Sequence, residues 1–303
     1  MAATSPDTEE KKKLPRTAIV VAATAACLGI IYGYDNGIIG GAQDVFAEDL
    51  GLNTQQTEFV VAAIVYGEII GAIAAGFLVN FWGRKKSMII LTAGYVLFGL
   101  LSAISVDMWM LAGSRIGLGL AIGISLIAVP VFVAESIPAR VRGGTLVLYQ
   151  VMGVCGIILG LLFSLALSGT EWLDSWRIML GLAAVPALIL LPVIMKLPET
   201  ARWYVMKGRI AEARTSMALT DPEANADEEI ASIQAANDEE RGGAIKEMLR
   251  KPYARATFFV VGLGFFIQIT GINATVTYGP QIFKAMGVES ATQQILMALL
   301  VQC

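Results

Sequence analysis

Histidine is absent from this 303-residue sequence, and only three cysteines occur in it. The lack of histidine excludes His-ligated metals and the Ser-His and Cys-His nucleophile arrangements. Cys27 and Cys155 fall inside apolar stretches and Cys303 is the last residue, so no disulfide framework is implied. Nothing in the sequence combines a nucleophile with a base, a metal site or a phosphate loop, so we expect neither an enzyme nor a cofactor.

Charge is also scarce. Charged residues make up 16% of the chain and hydrophobic residues 56%, whereas soluble proteins carry roughly 25% charged residues. The chain is therefore predicted to be an all-α integral membrane protein, with the lipid bilayer as its surroundings. The net charge of −3 gives no reason to expect a nucleic acid partner.

Apolar stretches dominate what is present. A membrane-crossing helix needs about 20 mostly apolar residues. The first stretch is too long for a signal-peptide core and lacks a small-residue cleavage site, so we expect it to remain in the mature protein. An eighth run, 291–303, is too short to complete a crossing, and the sequence reads as if cut inside a helix. The seven predicted spans are residues 17–41, 59–79, 87–105, 108–133, 145–167, 178–197 and 256–278.

The distribution of basic residues predicts the orientation. Short cytoplasmic loops carry an excess of Lys and Arg. The opposite side has only Arg177 and Lys284, so we expect a cytoplasmic amino terminus. Basic residues cluster before span 1 and after spans 2 and 4, at Lys11, Lys12, Lys13, Arg16, Arg84, Lys85, Lys86, Arg140 and Arg142.

A polar segment follows the sixth span. Between residues 198 and 251 hydrophobicity falls and charge rises, which predicts short cytoplasmic helices on the membrane surface. For residues 222–243 a disordered linker is an equal alternative. The predicted organisation is a cytoplasmic amino-terminal segment (1–16), a six-helix transmembrane bundle (17–197), a cytoplasmic helical connector (198–254), and span 7 with a partial span 8 (255–303).

A carboxylate, Asp35, interrupts the first apolar stretch. A central Asp in a membrane helix costs roughly 2.5 to 3.5 kcal/mol, so an intramembrane acid indicates a functional site, with a proton site among the first interpretations. Arg115 in span 4 supplies a buried charge of opposite sign. The alternative is that Asp35 lies near the outer end of its helix, where water reaches it.

Glu68 is a second acid inside a predicted span. It is consistent with a second proton site, a substrate contact or a residue at the outer water boundary. We favour the boundary slightly, because Glu68 should lie in the outer half of span 2.

Small residues recur at a spacing of three or four in several spans. This spacing places them on one helix face, where they allow close helix packing in lipid. The pattern indicates packing and does not identify a function. The residues are Gly67, Gly71 and Gly76 in span 2, Gly119 and Gly123 in span 4, and Gly153, Gly156 and Gly160 in span 5.

Five motifs together resemble the sugar porter family of the major facilitator superfamily, in particular its sugar/H+ symporters. The resemblance implies twelve helices in two six-helix halves, a substrate site midway through the membrane, and alternating access by rocking of the halves. This chain would supply the amino-terminal half, the connector and the start of the second half, as a transporter truncated after span 7. The motifs are Gly33-Tyr34-Asp35, Arg115, residues 130–144, residues 198–203, and Gln268 with Gly271-Ile272-Asn273.

The resemblance also implies residue roles. Asp35 matches the proton acceptor of coupled members and Arg115 matches its partner, so a change in their distance would couple protonation to conformation. Gln150, Gln268 and Asn273 match hydroxyl-binding positions, where amides both donate and accept hydrogen bonds. The alternative for these amides is a hydrogen bond to a neighbouring helix.

A charge network at the cytoplasmic side matches the family's gate, which holds the halves together when the inside is closed. Gly83 permits the sharp turn between spans 2 and 3. Each exposed pair is worth only about 0 to 1 kcal/mol, so the network would act as a latch that can open. The alternative is a set of solvated loop charges. The predicted gate residues are Arg84, Glu135, Arg142, Glu199 and Arg202.

Departures from the family pattern affect the substrate prediction. Ile267 stands where the family often has a glutamine, and Thr277 precedes Tyr278 where it often has paired tyrosines. We therefore expect a sugar or a sugar-like polyol as substrate, and protons as the coupled ion in the plasma membrane. The alternatives are a facilitative uniporter and a truncated, non-transporting remnant or regulatory membrane protein.

Overall fold

The computed structural model of the chain describes residues 14–167, 175–222, 224–239 and 253–302. The regular secondary structure in these ranges is α-helical. The basic residues Lys11, Lys12 and Lys13 and the terminal Cys303 lie outside them. The helices are α1 Arg16–Asp49, α2 Thr54–Trp82, α3 Arg84–Ala103, α4 Met108–Ser136, α5 Ala139–Leu167, α6 Ser175–Gly181, α7 Ala184–Lys196, α8 Ala201–Met206, α9 Ile210–Thr220, α10 Ala226–Glu239, α11 Ala254–Ile269, α12 Ile272–Ala285 and α13 Ala291–Gln302.

Within the described ranges, seven segments are long and apolar enough to cross a membrane, in agreement with the seven predicted spans. They are α1 to α5, the pair α6 and α7, and the pair α11 and α12. The helices exceed the apolar stretches, since α1 continues to Asp49 and α2 already begins at Thr54. The early start of α2 follows from a capping box, in which Asn53 and Gln56 exchange side-chain to backbone hydrogen bonds.

Close packing of α1 against α5 explains Gly33, Gly156 and Gly160 on these two helices. A Cβ atom added at Gly33 would lie 1.8 Å from the carbonyl oxygen of Gly153. Cβ atoms at Gly156 and Gly160 would meet α1 backbone atoms at 2.3 and 2.6 Å. The two backbones therefore approach so closely that only glycine fits, as the small-residue spacing predicts.

The same packing joins α2 to α4. A Cβ atom at Gly67 would lie 2.0 Å from the carbonyl oxygen of Ile116, and Gly71 and Gly119 are equally constrained. Gly76 differs, because its Cβ atom would meet nothing within 4 Å. The predicted packing role is therefore confirmed for the other two glycines of α2 and is wrong for Gly76.

The apolar core of the bundle includes two large clusters, and the buried charges lie between them. On α1, Ile31 belongs to one cluster and Ile38 to the other. On α4, Leu118 and Leu111 are divided in the same way. Arg115 lies between these two leucines, so the charges sit between two apolar layers.

The connector forms a small core of its own. Ala201, Val205, Ala213, Met217 and Ile230 from α8, α9 and α10 pack together. The segment thus contains three helices, and their cytoplasmic position on the membrane surface stays a prediction. Within residues 222–243, where a disordered linker is the alternative, Ala226–Glu239 forms α10, and residues 223 and 240–243 lie outside the described ranges. We call the end of the bundle that carries α8 to α10 the connector end.

Candidate functional site

Asp35 and Arg115 form a buried ion pair. The Arg115 Nη1 atom donates a hydrogen bond of 2.7 Å to Asp35 Oδ1. The Arg115 side chain is 1% exposed and the Asp35 side chain is 3% exposed. Asp35 lies well inside α1 rather than at its end, so the alternative of a water-exposed position is wrong. The sequence predicted the two charges, and the fold brings them into direct contact.

The ion pair is incompletely satisfied. Asp35 Oδ2 and Arg115 Nε are buried and have no hydrogen-bond partner among the residues that the structure describes. Buried charged atoms are ordinarily paired, because removing them from water costs several kcal/mol each, by order of magnitude. The pair thus retains hydrogen-bonding capacity for a proton or another polar group.

A helix break in the seventh span positions two of the predicted amides. Gly271 separates α11 from α12 with a φ of 76°, a left-handed conformation that glycine adopts without strain. Gln268 precedes the break and Asn273 follows it. Asn273 Nδ2 donates a hydrogen bond of 2.8 Å to Gln268 Oε1. This hydrogen bond uses the nitrogen of the Asn273 amide and the oxygen of the Gln268 amide. Both side chains are exposed.

A cavity of about 230 Å³ lies between Arg115 of the ion pair and the broken helix. Arg115 and Asn273 both contribute to its wall. Thr277 and Tyr278, which mark departures from the family pattern, also line it. The remaining lining residues are Tyr32, Asn36, Ile39, Val61, Ala62, Ile64, Val65, Glu68 and Ala274.

Glu68 lines this cavity and is half-buried. It lies at the midpoint of the 29-residue α2, so the preference for the outer water boundary is wrong. The apolar stretch alone did not show that Glu68 lines a cavity with Arg115, because that depends on how α2 crosses α4.

Gln150 lies apart from this group. It is exposed on α5 and is not among the residues that line the cavity. Its neighbour Tyr149 packs against Gly29 of α1 instead. A role for Gln150 in binding substrate stays a prediction.

Three of the predicted gate residues meet at the connector end, namely Arg84, Glu135 and Glu199. Arg84 Nη2 lies 2.8 Å from Glu135 Oε1, in an ion pair whose side chains are 5% and 11% exposed. The Thr200 hydroxyl donates a second hydrogen bond, of 2.7 Å, to Glu135 Oε2. Because the Arg84–Glu135 pair is largely buried, salt screens its attraction less than it would screen the exposed pairs that the sequence predicted.

Glu199 caps the first turn of α3. Its carboxylate accepts hydrogen bonds from the backbone N–H groups of Arg84, Lys85 and Thr200 at 2.9 to 3.1 Å. An anion at a helix N-terminus is favoured by the helix dipole. Burial nevertheless raises the pKa of the Glu199 carboxyl, and these backbone donors oppose the shift. Gly83 leaves room for this carboxylate, since a Cβ atom there would lie 2.2 Å from Glu199 Oε2.

Arg142 and Arg202 lie beside this cluster. Both line a cavity of about 270 Å³ at the connector end, together with Glu135. Arg142 Nη2 also approaches the carbonyl oxygen of Ile137 at 3.5 Å, a long hydrogen bond. The structure therefore brings all five predicted gate residues into one region, and their gating role stays a prediction.

The opposite end carries a contact that the sequence reasoning missed. Lys284 Nζ on α12 lies 2.9 Å from Asp44 Oδ2 on α1, in an exposed ion pair. Gln281 Nε2 donates a hydrogen bond of 3.1 Å to the carbonyl oxygen of Gly40. These contacts hold α12 against α1 beyond the cavity.

Tyr32 and Asn36 were also missed as cavity residues. They are four positions apart on α1, so they share the helix face that lines the cavity. Polar or aromatic side chains at this spacing within an apolar span are the signal that could have identified them.

Comparison with known proteins identifies the family. The model of the family described as "Sugar (and other) transporter" matches residues 21–303. The galactose-proton symporter of Escherichia coli (strain K12) is 33% identical over 272 residues, which are 89% of this chain and 58% of that protein. The arabinose-proton symporter of the same strain is 33% identical over 287 residues, or 94% of this chain and 60% of that protein.

Solved structures establish the fold. The proton:xylose symporter XylE bound to 6-bromo-6-deoxy-D-glucose matches with a TM-score of 0.80 at 24% identity, covering 94% of this chain and 66% of that one. The partially occluded inward-open XylE of E. coli matches with a TM-score of 0.78 at 23% identity, covering 94% of this chain and 70% of that one.

The chain belongs to the sugar (and other) transporter family, and its fold is that of the major facilitator superfamily. It spans about three fifths of the length of the curated relatives described above. The predicted family and fold class are confirmed.

Proposed function

We propose that this protein moves a sugar or a sugar-like polyol across the membrane by alternating access, coupled to protons. The observation that carries the proposal is the buried contact of 2.7 Å between Asp35 and Arg115, beside a cavity lined by Asn273. Two relatives with 33% identity are named as proton symporters of galactose and arabinose, which supports the same class of substrate.

The ion pair provides a physical basis for proton coupling. A guanidinium stabilises the ionised form of a neighbouring carboxylate, whereas an isolated carboxylate in apolar surroundings favours the neutral form. Proton binding to Asp35 would therefore weaken its contact with Arg115, and separation of the two would favour proton binding. A conformational change that alters their distance is coupled to protonation by this reciprocity.

Substrate recognition would use neutral polar groups. Asn273 and Gln268 present amides beside the cavity, and Thr277 and Asn36 add further hydrogen-bonding groups. Such groups match sugar hydroxyls, which also donate and accept. Gln150 would contribute from the exposed face of α5.

The predicted organisation completes the proposal. We place the protein in the plasma membrane with residues 1–16 in the cytoplasm, residues 17–197 as the transmembrane bundle and residues 198–254 as the cytoplasmic connector. Residues 255–303 would then begin the second half. In this orientation the cluster of Arg84, Glu135 and Glu199 acts as the cytoplasmic gate, with Arg142 and Arg202 beside it.

Proteoliposome uptake tests the proposal. The purified chain is reconstituted, and entry of radiolabelled galactose, arabinose or xylose is followed with and without an inward proton gradient. We expect saturable uptake that accumulates against the sugar gradient, and its loss in Asp35→Asn or on addition of a protonophore. Glu48→Gln is the matched control, because Glu48 is an exposed acid on the same helix.

Other outcomes separate the alternatives. Sugar counterflow without accumulation, unchanged by pH and by Asp35→Asn, would indicate a uniporter and refute proton coupling. Absence of any flux from correctly folded protein would refute transport by this chain.

A further inference from the structure

Glu68 is a second acid near the ion pair, and it lines the same cavity as Arg115. Its side chain is half-buried at the midpoint of α2 and shares the cavity wall with Arg115, Tyr32, Asn36 and Asn273. The proton-coupling scheme proposed above uses Asp35 and Arg115 alone, and it assigns no role to this carboxylate.

The glycine contacts fix the position of Glu68 relative to Arg115. A Cβ atom at Gly123 of α4 would lie 2.2 Å from the carbonyl oxygen of Glu68, and one at Gly119 would lie 3.1 Å from its backbone nitrogen. Gly119 and Gly123 follow Arg115 by one and two helical turns. The backbone of Glu68 is therefore packed directly on the helix that carries Arg115, and the two side chains enter the cavity from adjoining helices.

The charges around the cavity do not balance. Among the described residues, Arg115 pairs with Asp35 and lines the same cavity as Glu68, so two acids lie near one guanidinium. When both acids are ionised, one negative charge is left uncompensated in a largely apolar setting. Arg115 also has an unused donor, because its buried Nε atom has no hydrogen-bond partner in the described part of the chain. The other titratable groups near these charges, among the described residues, are phenols. Tyr32 and Tyr278 line the cavity, whereas Tyr34 lies near Asp35, Tyr95 near both acids and Tyr149 near Tyr32.

We propose that Glu68 is a second proton-binding group of this cavity, and that it becomes the partner of Arg115 when Asp35 is protonated. In one state Arg115 holds ionised Asp35, and the Glu68 carboxylate takes up a proton from solution to become a neutral carboxyl. In the other state Asp35 carries the proton and Arg115 pairs with ionised Glu68. Each state has one positive and one negative charge, so the cavity stays neutral in both.

The physical reason is the cost of unpaired charge. When two acids near one counter-ion interact strongly, their protons belong to the pair rather than to either residue. A single bound proton cancels the excess negative charge. Glu68 and Arg115 line the same cavity, and Arg115 holds Asp35, so movement of the Arg115 side chain would exchange one acid for the other.

Infrared spectroscopy tests proton binding without requiring transport. The purified chain in lipid nanodiscs is titrated with acid and base, and the C=O stretching band of protonated carboxyl groups is recorded. We expect Glu68→Gln to remove a band that persists in Glu58→Gln, whose acid is exposed on the same helix. Asp35→Asn should shift the titration midpoint of this band, whereas Glu48→Gln should leave it unchanged.

The opposite results overturn the inference. If Glu68→Gln removes no band beyond the one that Glu58→Gln removes, Glu68 binds no distinct proton. If Asp35→Asn leaves the Glu68 band unmoved, the two acids do not share Arg115. Glu68→Asp keeps a carboxyl and should keep a band, which guards against loss of signal through misfolding of the Gln variant.

A transport measurement extends the test, and this part rests on the proposed function. The number of protons moved per sugar, or the pH profile of uptake, should change in Glu68→Gln and not in Glu58→Gln. Absence of sugar flux in the unsubstituted chain would refute the proposed function. The infrared bands would still decide whether Glu68 binds a proton.

Discussion

Substitution of Gly33 by alanine is the sharpest test of the helix packing that places Asp35. The added Cβ atom would lie 1.8 Å from the carbonyl oxygen of Gly153 and 2.7 Å from its carbonyl carbon. Both are backbone atoms, so no side-chain rotation relieves the overlap. Restoring van der Waals separation requires α1 and α5 to move apart by about 1.5 Å. Overpacking of this kind costs typically about 1 to 3 kcal/mol.

Gly76→Ala is the matched control, because its added Cβ atom would meet nothing within 4 Å. Both variants replace glycine inside a helix, which favours folding by up to about 1 kcal/mol. The difference between them therefore isolates the steric cost at Gly33. We expect Gly33→Ala to have an unfolding free energy about 1 to 3 kcal/mol below that of Gly76→Ala. The assay is reversible unfolding in mixed micelles followed by tryptophan fluorescence. Equal stability of the two variants would refute the close approach of α1 and α5.

Three further predictions concern charged residues. Arg115→Leu leaves Asp35 buried without a counter-ion and should lower the unfolding free energy by about 3 to 5 kcal/mol. Adding Asp35→Asn should recover much of that loss, and no recovery in the same assay would contradict the pairing. Burial raises the pKa of Glu199 above its unfolded value, so its contribution to stability is present at low pH and is lost as pH rises through the folded pKa. The stability of the unsubstituted chain relative to Glu199→Gln, measured by unfolding at a series of pH values, should therefore fall as pH rises, and a constant difference would be inconsistent with the shift. Asp44→Asn breaks the exposed contact with Lys284 and should change stability by less than about 1 kcal/mol. That change should vanish near 1 M salt, where the screening length is about 3 Å, and a larger effect that resists salt would rule out an exposed pair.

The membrane spans and the principal ion pair could be predicted from the sequence because both follow from the cost of polar groups in lipid. Apolar length identifies a span. A charge such as Asp35 must then find a partner, and Arg115 offers the opposite sign within another span. The glycine spacing likewise predicted helix contacts, because close approach in lipid requires small side chains.

Features that depend on the relative placement of helices could not be predicted in the same way. The start of α2 at Thr54 had a local signal in Asn53 and Gln56, but apolar length alone placed it later. The hydrogen bond from Thr200 to Glu135 joins residues 65 positions apart and has no local signal. Glu68 shows the same difficulty, since its depth was misjudged and its cavity follows only from the crossing of α2 and α4.

The glycine contacts and the ion pair act at different places in the bundle. The closest backbone packing joins α1 to α5, through Gly33, and α2 to α4, through Gly119. Asp35 belongs to the first pair of helices, whereas Arg115 and Glu68 belong to the second. The ion pair therefore crosses the interface between the α1–α5 pair and the α2–α4 pair. Interfaces that only glycine fits leave little room for sliding. We therefore expect a change in the charge of Asp35 to alter the interface between the two helix pairs and to leave each pair intact. The helix pairs would thus keep both acids in place while the Arg115 side chain exchanges one acid for the other.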